Sequence, residues 1–220
     1  MDTPRHEAAH TQDELDGIVF LGQTLGPLFE QDPKTGQASA LYDGIAALDA
    51  AAAAAEWPFC EQQTQAVEQA LSLMQQGIAG GMDAVTREYR RLFVGPARKA
   101  APPWGSVYTD HDGVMFGESA LALHDWLSAH DVCVAADDHL PDDHIGRMLC
   151  LMAWLAETRP EMLDDYLELH LLTWAPHFLE YLAAQTRHAL FSGLATLTAT
   201  SLAGVQESFG LHPVTPRFYR

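Results

Sequence analysis

The residue types best suited to chemistry recur in the middle of the chain, where Asp and His stand side by side. The runs that combine them are Asp110-His111-Asp112, Asp137-Asp138-His139 and Asp142-Asp143-His144. Carboxylates and imidazoles can bind a metal ion or transfer protons, so a small acid–base or metal-assisted enzyme is one hypothesis. The spacing argues against it, because no H-E-x-x-H motif occurs and the run from Asp110 to Gly113 departs from the calcium-loop template. We expect no catalytic residue and no metal site.

The last of these runs opens a predicted helix. Carboxylates suit both the capping position and the positive end of a helix dipole, so capping alone would explain Asp142. A His that directly follows a carboxylate could instead recognise the cation or the hydrogen-bond donors of a partner. Asp143 and His144 therefore have two open interpretations, a structural one and a partner-binding one.

A second candidate region is the stretch from Tyr89 to Gly117. It begins as the end of a helix, breaks at Gly95-Pro96, and continues as a loop in which Pro102-Pro103 force an extended approach to Trp104. The ring of Trp104 must be either buried or offered to a partner. Long loops rich in aromatic residues, Pro and Gly bind ligands more often than they merely connect helices.

The helix that enters this loop has an apolar face with two interpretations. Tyr89, Leu92 and Phe93 share that face at helical spacing. They could be ordinary core residues, or they could line a groove next to the loop.

The charge of the chain restricts its partners. The 220 residues include 30 acids and 12 Lys or Arg, which gives a formal charge of −18. Such a chain repels nucleic acids and anionic membranes and favours a cationic partner. Between Ala100 and Gly146 there is no Lys or Arg but there are nine acids. This tract is either a solvated acidic surface or a site for partner arginines.

Helical periodicity dominates the chain and strand patterns are nearly absent. The predicted helices cover residues 15–29, 40–56, 62–76, 82–93, 118–130, 142–157, 161–172, a segment from about 175, and 188–208. We expect Leu121, Trp126 and Leu127 to lie in the core. The 142–157 helix, apolar almost all round and including Trp154, is expected to be the most buried of the C-terminal half.

The compartment can be predicted from three absences. The first residues have no basic segment followed by an apolar run, so no signal peptide is expected. Residues 188–206 are too polar for a membrane span. The three cysteines, Cys60, Cys133 and Cys150, are too few and too widely spaced for a disulfide framework or a zinc site. A cytoplasmic protein that is not integral to the membrane is expected.

A family resemblance begins at Tyr89 and continues to the C-terminus. The runs that carry it are YRRLFVGP…APPWGSVY…FG, LPDDHIG, MLCLMAWLAE, HLLTWAPHFLEYL and PVTPRFYR. They resemble the TorD/DmsD family of redox-enzyme maturation chaperones, most closely its DmsD branch, whereas the first eighty residues match only in being helical. The resemblance implies an all-helical cytoplasmic protein. Its partners would be the twin-arginine signal peptide and the apo form of a molybdopterin oxidoreductase catalytic subunit, with components of the Tat translocase as further candidates.

The resemblance also implies which residues contact the peptide. Tyr89, Leu92, Phe93, Pro103 and Trp104 fall where the family lines an apolar groove. Asp143 and His144 fall on its Asp-His pair at the hinge. This chain departs from the pattern at Tyr89, where the family often has Trp, and at Leu140, where it often has Glu. No phosphate-binding motif supports a nucleotide site, and only the behaviour of some relatives leaves guanine nucleotide open; no other cofactor is expected.

We therefore predict a single all-α, TorD-like domain of about nine or ten helices in two sub-bundles joined by a hinge. Residues 1–12 form a mobile tail, 13–93 the N-terminal sub-bundle, 94–141 the loop and hinge, and 142–220 the C-terminal sub-bundle. The predicted function is binding of a twin-arginine signal peptide as a chaperone during cofactor insertion and before export. The alternative is the small enzyme built on the Asp and His clusters.

Overall fold

The computed structural model describes residues 10–34, 38–113, 117–132 and 141–220. Over these ranges the chain forms helices and loops without a β-strand, apart from an isolated bridge between Trp104 and His144. The α-helices are α1 (Gln12–Glu30), α2 (Ala38–Ala47), α3 (Ala50–Ala55), α4 (Thr64–Ala79), α5 (Met82–Tyr89), α6 (Ser106–Thr109), α7 (Glu118–Ala129), α8 (Ile145–Thr158), α9 (Leu163–Tyr166), α10 (Ala175–Gln185) and α11 (Ala189–Ser208). The predicted all-α class is confirmed.

Two of the predicted helices are interrupted. The helix expected over residues 40–56 divides into α2 and α3, because the Asp49 side chain accepts hydrogen bonds from the amides of Ala51 and Ala52, at 3.0 Å each, and starts a new helix. The helix expected over residues 161–172 consists of a 3₁₀ turn, the short α9 and a π-helical turn at Leu167–Leu171.

Helices from the two halves of the chain pack directly on each other. The most extensive pairings join α1 to α8 and α4 to α11. Glycines allow the first pairing to be close: a Cβ atom at Gly26 would lie 2.5 Å from Cys150 Sγ, and one at Gly146 would lie 2.6 Å from the carbonyl oxygen of Gly26. The two halves therefore share one core, and the division into two sub-bundles stays a prediction.

Two large apolar residues expected in the core lie at the surface. Leu121 on α7 is 54% exposed and Trp154 on α8 is 41% exposed, whereas Leu127 is buried as expected. Each is about 200° around its helix from a buried residue two positions away, Leu123 or Met152, so it points away from the core. The expectation for Leu121 and Trp154 was wrong because apolar residues can outnumber the positions on a buried face.

None of the helices in these ranges combines the length and the apolar character that a bilayer crossing requires.

Candidate functional site

The Trp104 loop and the start of α8 lie against each other. The amide of Ile145 donates to the carbonyl of Pro103 at 2.8 Å, and the amide of Gly105 donates to the carbonyl of Asp143 at 3.1 Å. The amide of Ser106 donates to Asp143 Oδ2 at 2.6 Å. These three hydrogen bonds join two of the regions that the sequence singles out. We call this arrangement the hinge site, formed by residues 103–106 and 143–145.

Asp143 is buried within the hinge site, with 2% of its surface exposed. Burial raises the pKa of its carboxyl, and the hydrogen bond from the Ser106 amide opposes that rise. Oδ1 of Asp143 accepts no hydrogen bond from any residue that the structure describes. A buried carboxylate oxygen without a donor is uncommon in a folded protein, and here it offers a position for a cationic donor from outside.

His144 is the capping residue of α8. Its Nδ1 accepts a hydrogen bond from the Gly146 amide at 3.1 Å, so that nitrogen carries no proton. Burial lowers the pKa of His144 to about 3, and the nearby Arg147 adds to the shift. The prediction of Asp142 as the cap is therefore wrong: α8 begins at Ile145. The carboxylate of Asp142 instead contacts His124 Nδ1 at 3.0 Å near the surface.

Trp104 is held on several sides. Its ring meets the imidazole of His144 edge to face, with centroids 5.6 Å apart, and Lys99 Nζ lies 5.2 Å from the ring centroid. Trp104 Nε1 is buried and has no acceptor among the described residues. The next residue, Gly105, allows close packing, because a Cβ atom there would lie 2.7 Å from the indole of Trp174. The loop is thus tightly packed, while the indole N–H of Trp104 has no partner within the described ranges.

Tyr89, Leu92 and Phe93 are buried in an aromatic core and do not line an exposed groove. The hydroxyl of Tyr89 donates to the carbonyl of Phe29 at 3.3 Å, and the ring of Phe93 lies 5.8 Å from that of Phe191. A peptide contact through these three residues stays a prediction. It would require a rearrangement, because their side chains are inaccessible in this conformation.

The backbone connects that core to the hinge site. Arg90–Val94 forms a π-helical turn that ends at Gly95, whose φ of 106° favours glycine. The amide of Ala101 then donates to the carbonyl of Leu92 at 3.1 Å. The loop therefore folds back on the end of the helix before it reaches Trp104.

A metal site receives no support from the structure. In the four described ranges, no group of three or more His, Cys, Asp or Glu side chains is placed to hold an ion. Residues 137–139 of the second Asp-His run lie outside those ranges, as do Cys133 and Leu140.

Sequence reasoning missed the neighbours of the hinge site. Ser106 supplies the amide that binds Asp143, and the C-terminal segment packs beside the loop. There the amide of Tyr219 donates to the carbonyl of Tyr108 at 2.9 Å, and Arg220 contacts the carbonyl of Lys99 at 3.4 Å. The closing run PVTPRFYR was the one signal, since it belongs to the family pattern, but nothing in it indicated this location.

Comparisons with known proteins identify relatives of this chain. The family model described as "Nitrate reductase delta subunit" matches residues 59–180. A Haemophilus influenzae protein named "Probable Tat proofreading chaperone DmsD" is 36% identical over 209 residues, which are 95% of this chain and 100% of that protein. "Tat proofreading chaperone DmsD" of Salmonella typhi is 30% identical over 86% of this chain and 89% of that protein. A solved structure from Archaeoglobus fulgidus, a "Putative Redox Enzyme Maturation Protein", covers 92% of this chain and 99% of its own at 17% identity and a TM-score of 0.46, too low to support an argument.

Over its described residues the chain is helical, and its aromatic loop is held on the Asp-His start of α8. The chain belongs to the TorD/DmsD family of redox-enzyme maturation chaperones and is DmsD-like within it. The resemblance is confirmed, and the similarity also reaches residues before Tyr89. The protein is a chaperone, and the alternative of a small enzyme is not supported.

Proposed function

We propose that this chaperone binds the twin-arginine signal peptide on the apo form of a molybdopterin oxidoreductase catalytic subunit, in the cytoplasm and before export. Two relatives named Tat proofreading chaperones support the kind of partner. The formal charge of −18 supports a cationic one. The observation that carries the proposal is the hinge site, where Asp143 Oδ1 and Trp104 Nε1 are both buried and have no hydrogen-bond partner among the described residues.

These two atoms complement the polar groups of an arginine-containing peptide. A guanidinium can donate to the free oxygen of Asp143 while the Ser106 amide stays bound to the other oxygen. The indole N–H of Trp104 can donate to a peptide carbonyl. His144 is uncharged at neutral pH, so it does not repel the arginine.

Binding at this site requires the loop to move, because Asp143 and Trp104 are buried. The hydrogen bonds from the Ile145 amide to Pro103 and from the Gly105 amide to Asp143 are the contacts that such a movement would loosen, while the Ser106 amide stays on Asp143. The peptide would then replace internal contacts with its own. Loop movement would also be the route by which Leu92, tied to Ala101, becomes accessible to the apolar part of the peptide.

Co-purification tests the proposed partner. The catalytic subunit of a molybdopterin oxidoreductase from the same genome should be co-expressed with the tagged chaperone, both with and without its signal peptide. We expect capture of the apo subunit only when the signal peptide is present. Equal capture of the subunit without it would contradict the proposal.

A further inference from the structure

Two adjacent cavities lie on the side of α1 opposite the helix α8. One is apolar, has a volume of about 190 Å³ and lies between α1, α2 and α4. The other has a volume of about 460 Å³ and lies between the start of α1, residues 58–63 and the end of α11. Phe20 and Thr24 of α1 line the first cavity, while Gly22 and Gly26, about half a turn away, pack on α8. The two cavities are therefore separate from the hinge site.

The apolar cavity has the size and lining of a binding pocket for an apolar side chain. Its walls include Phe20, Leu41, Leu48 and Trp57, and Thr24 supplies its one hydroxyl group. Protein interiors rarely contain voids larger than a water molecule, and a cavity of about 150 Å³ with a similar lining can bind benzene. Phe20 at the rim is 45% exposed. The pocket thus presents an apolar surface that the described residues leave uncovered.

The rim of the apolar cavity is ordered by specific contacts. The rings of Phe20 and Trp57 meet edge to face with centroids 5.2 Å apart. The indole N–H of Trp57 donates to Ser201 Oγ at 2.9 Å, so that polar group is already satisfied. An occupant would meet a preformed aromatic wall, which lowers the entropy cost of binding.

The second cavity supplies the charge that selects the occupant. Four acids line it: Asp13, Glu14, Glu61 and Glu207. The ring of Phe59 lies among them and packs against α1, since a Cβ atom at Gly17 would be 3.0 Å from it. Residues 10 to 86 hold eleven acids and one Lys or Arg, Lys34, which is paired with Asp83. This half of the chain complements a cation.

The spacing of the cavities fits one short peptide segment. Trp57 lines the apolar cavity, and the next two residues, Pro58 and Phe59, line the acidic one. Along α1, Asp13 and Phe20 are separated by about 10 Å, from a rise of about 1.5 Å per residue. Three or four residues of extended peptide span that distance, at about 3.3 Å per residue.

We propose that these two cavities form a second peptide-binding surface, which takes a segment with basic residues directly followed by bulky apolar residues. The basic side chains lie in the acidic cavity and an apolar side chain enters the cavity between α1, α2 and α4. The choice of the signal peptide as the occupant rests on the proposed function. The evidence for the surface itself is the geometry of the two cavities and the acids that line one of them.

Gly44 allows a specific test. It lines the mouth of the apolar cavity, and a Cβ atom there would meet no heavy atom within 4 Å. Gly44→Leu should therefore occupy the mouth without a clash and without loss of thermal stability, since leucine also favours a helix. Gly44→Ala is the matched control, because it changes the helix in the same direction but adds only one methyl group.

The probe is a synthetic peptide with two adjacent arginines followed by an apolar segment, titrated by calorimetry into each variant. We expect Gly44→Leu to weaken binding by at least about tenfold and Gly44→Ala to leave it unchanged. The pair Asp13→Asn and Glu207→Gln should weaken binding and reduce its salt dependence. Glu157→Gln with Glu180→Gln, a charge change of the same size at exposed positions of α8 and α10, should do neither.

The outcomes separate this inference from the proposed function. Wild-type affinity in Gly44→Leu, with weakened binding in Trp104→Phe, would place the whole peptide at the hinge site and overturn the second surface while the function stands. A peptide that fails to bind the wild-type protein would contradict both the proposed function and the second surface. Weakened binding in Gly44→Leu, with unchanged binding in Gly44→Ala, supports the second surface.

Discussion

The amide of Ser106 donates a 2.6 Å hydrogen bond to the carboxylate of Asp143, and this contact joins the aromatic loop to the start of α8. It explains how a carboxylate with 2% exposure is tolerated, because one oxygen is satisfied by a backbone donor. The other oxygen accepts no hydrogen bond from the residues that the structure describes.

Asp143→Asn should show how much the negative charge of Asp143 contributes to peptide binding, apart from its role in holding the loop. An asparagine oxygen can still accept from the Ser106 amide, so the loop should stay in place while the negative charge is lost. We expect peptide affinity to fall by about 1.5–3 kcal/mol, the typical strength of a hydrogen bond to a charged group. Calorimetric titration measures this, with Asp142→Asn as the control of equal charge change. A larger effect in the Asp142 variant would reverse the roles of the two acids.

The raised pKa of Asp143 gives a pH dependence of stability. A carboxyl with a raised pKa in the folded state binds its proton more tightly there, so its contribution is complete below the ordinary pKa of 3.8 and is lost as pH rises through the raised value. Asp143→Asn has no charge to bury. Thermal melts from pH 3 to 7 should therefore show the variant gaining stability relative to wild type as pH rises. A constant difference would mean that the pKa of Asp143 is not raised.

His144 should act in the opposite direction. Its pKa falls from 6.5 to about 3 on folding, so the stability that it contributes is present above pH 6.5 and is lost as pH falls towards 3. His144→Asn keeps a capping acceptor but does not titrate. At pH 4 the variant should recover up to about 3 kcal/mol relative to wild type, measured by urea unfolding at pH 4 and 7. Equal acid sensitivity in both proteins would exclude His144 as the cause.

Trp104→Phe tests the unused indole donor. Because Nε1 has no acceptor in the described residues, its loss should change stability by less than about 1.5 kcal/mol, as for other conservative core exchanges. Peptide binding should weaken by about tenfold if the N–H binds a peptide carbonyl. The ring of Phe93, by contrast, is buried in the core. We expect Phe93→Ala to lower the free energy of unfolding by about 3–5 kcal/mol. Wild-type affinity in Trp104→Phe would remove the indole from the site.

Gly105→Ala should displace the loop. The new methyl group would lie 2.7 Å from the indole of Trp174, and overpacking of this kind costs about 1–3 kcal/mol. Gly44→Ala is the control, since its Cβ meets nothing within 4 Å and should be neutral or stabilising. Urea denaturation compares the two. If they behave alike, the loop does not pack on Trp174 as described.

Local patterns predicted the helices well but could not place residues that meet across the fold. Capping chemistry located the start of α8 within three residues, yet Asp142 and His144 can both cap, and local pattern did not identify His144 as the one that does. An apolar face at Tyr89 and Phe93 predicted a contact but not whether the partner is Phe29 of the same chain or a bound peptide.

The contact between Ser106 and Asp143 spans 37 residues, and no periodicity encodes it. The family resemblance predicted that the Trp104 loop and the Asp-His pair form one site, since both belong to the same sequence pattern. The cavities on α1 had no such signal, because their walls come from five separate stretches of sequence.

The most direct test of the proposed function is a surface plasmon resonance measurement of affinity and association rate for a twin-arginine peptide. It is compared with peptides in which both arginines are replaced by lysine or by glutamine, at about 0.05 and 0.5 M salt. Over this range the Debye length falls from about 14 to 4 Å. We predict that glutamine weakens binding more than lysine does, and that salt slows association, because recognition depends on carboxylates that include Asp143. Equal affinity for the three peptides at both salt concentrations would contradict recognition of the arginines.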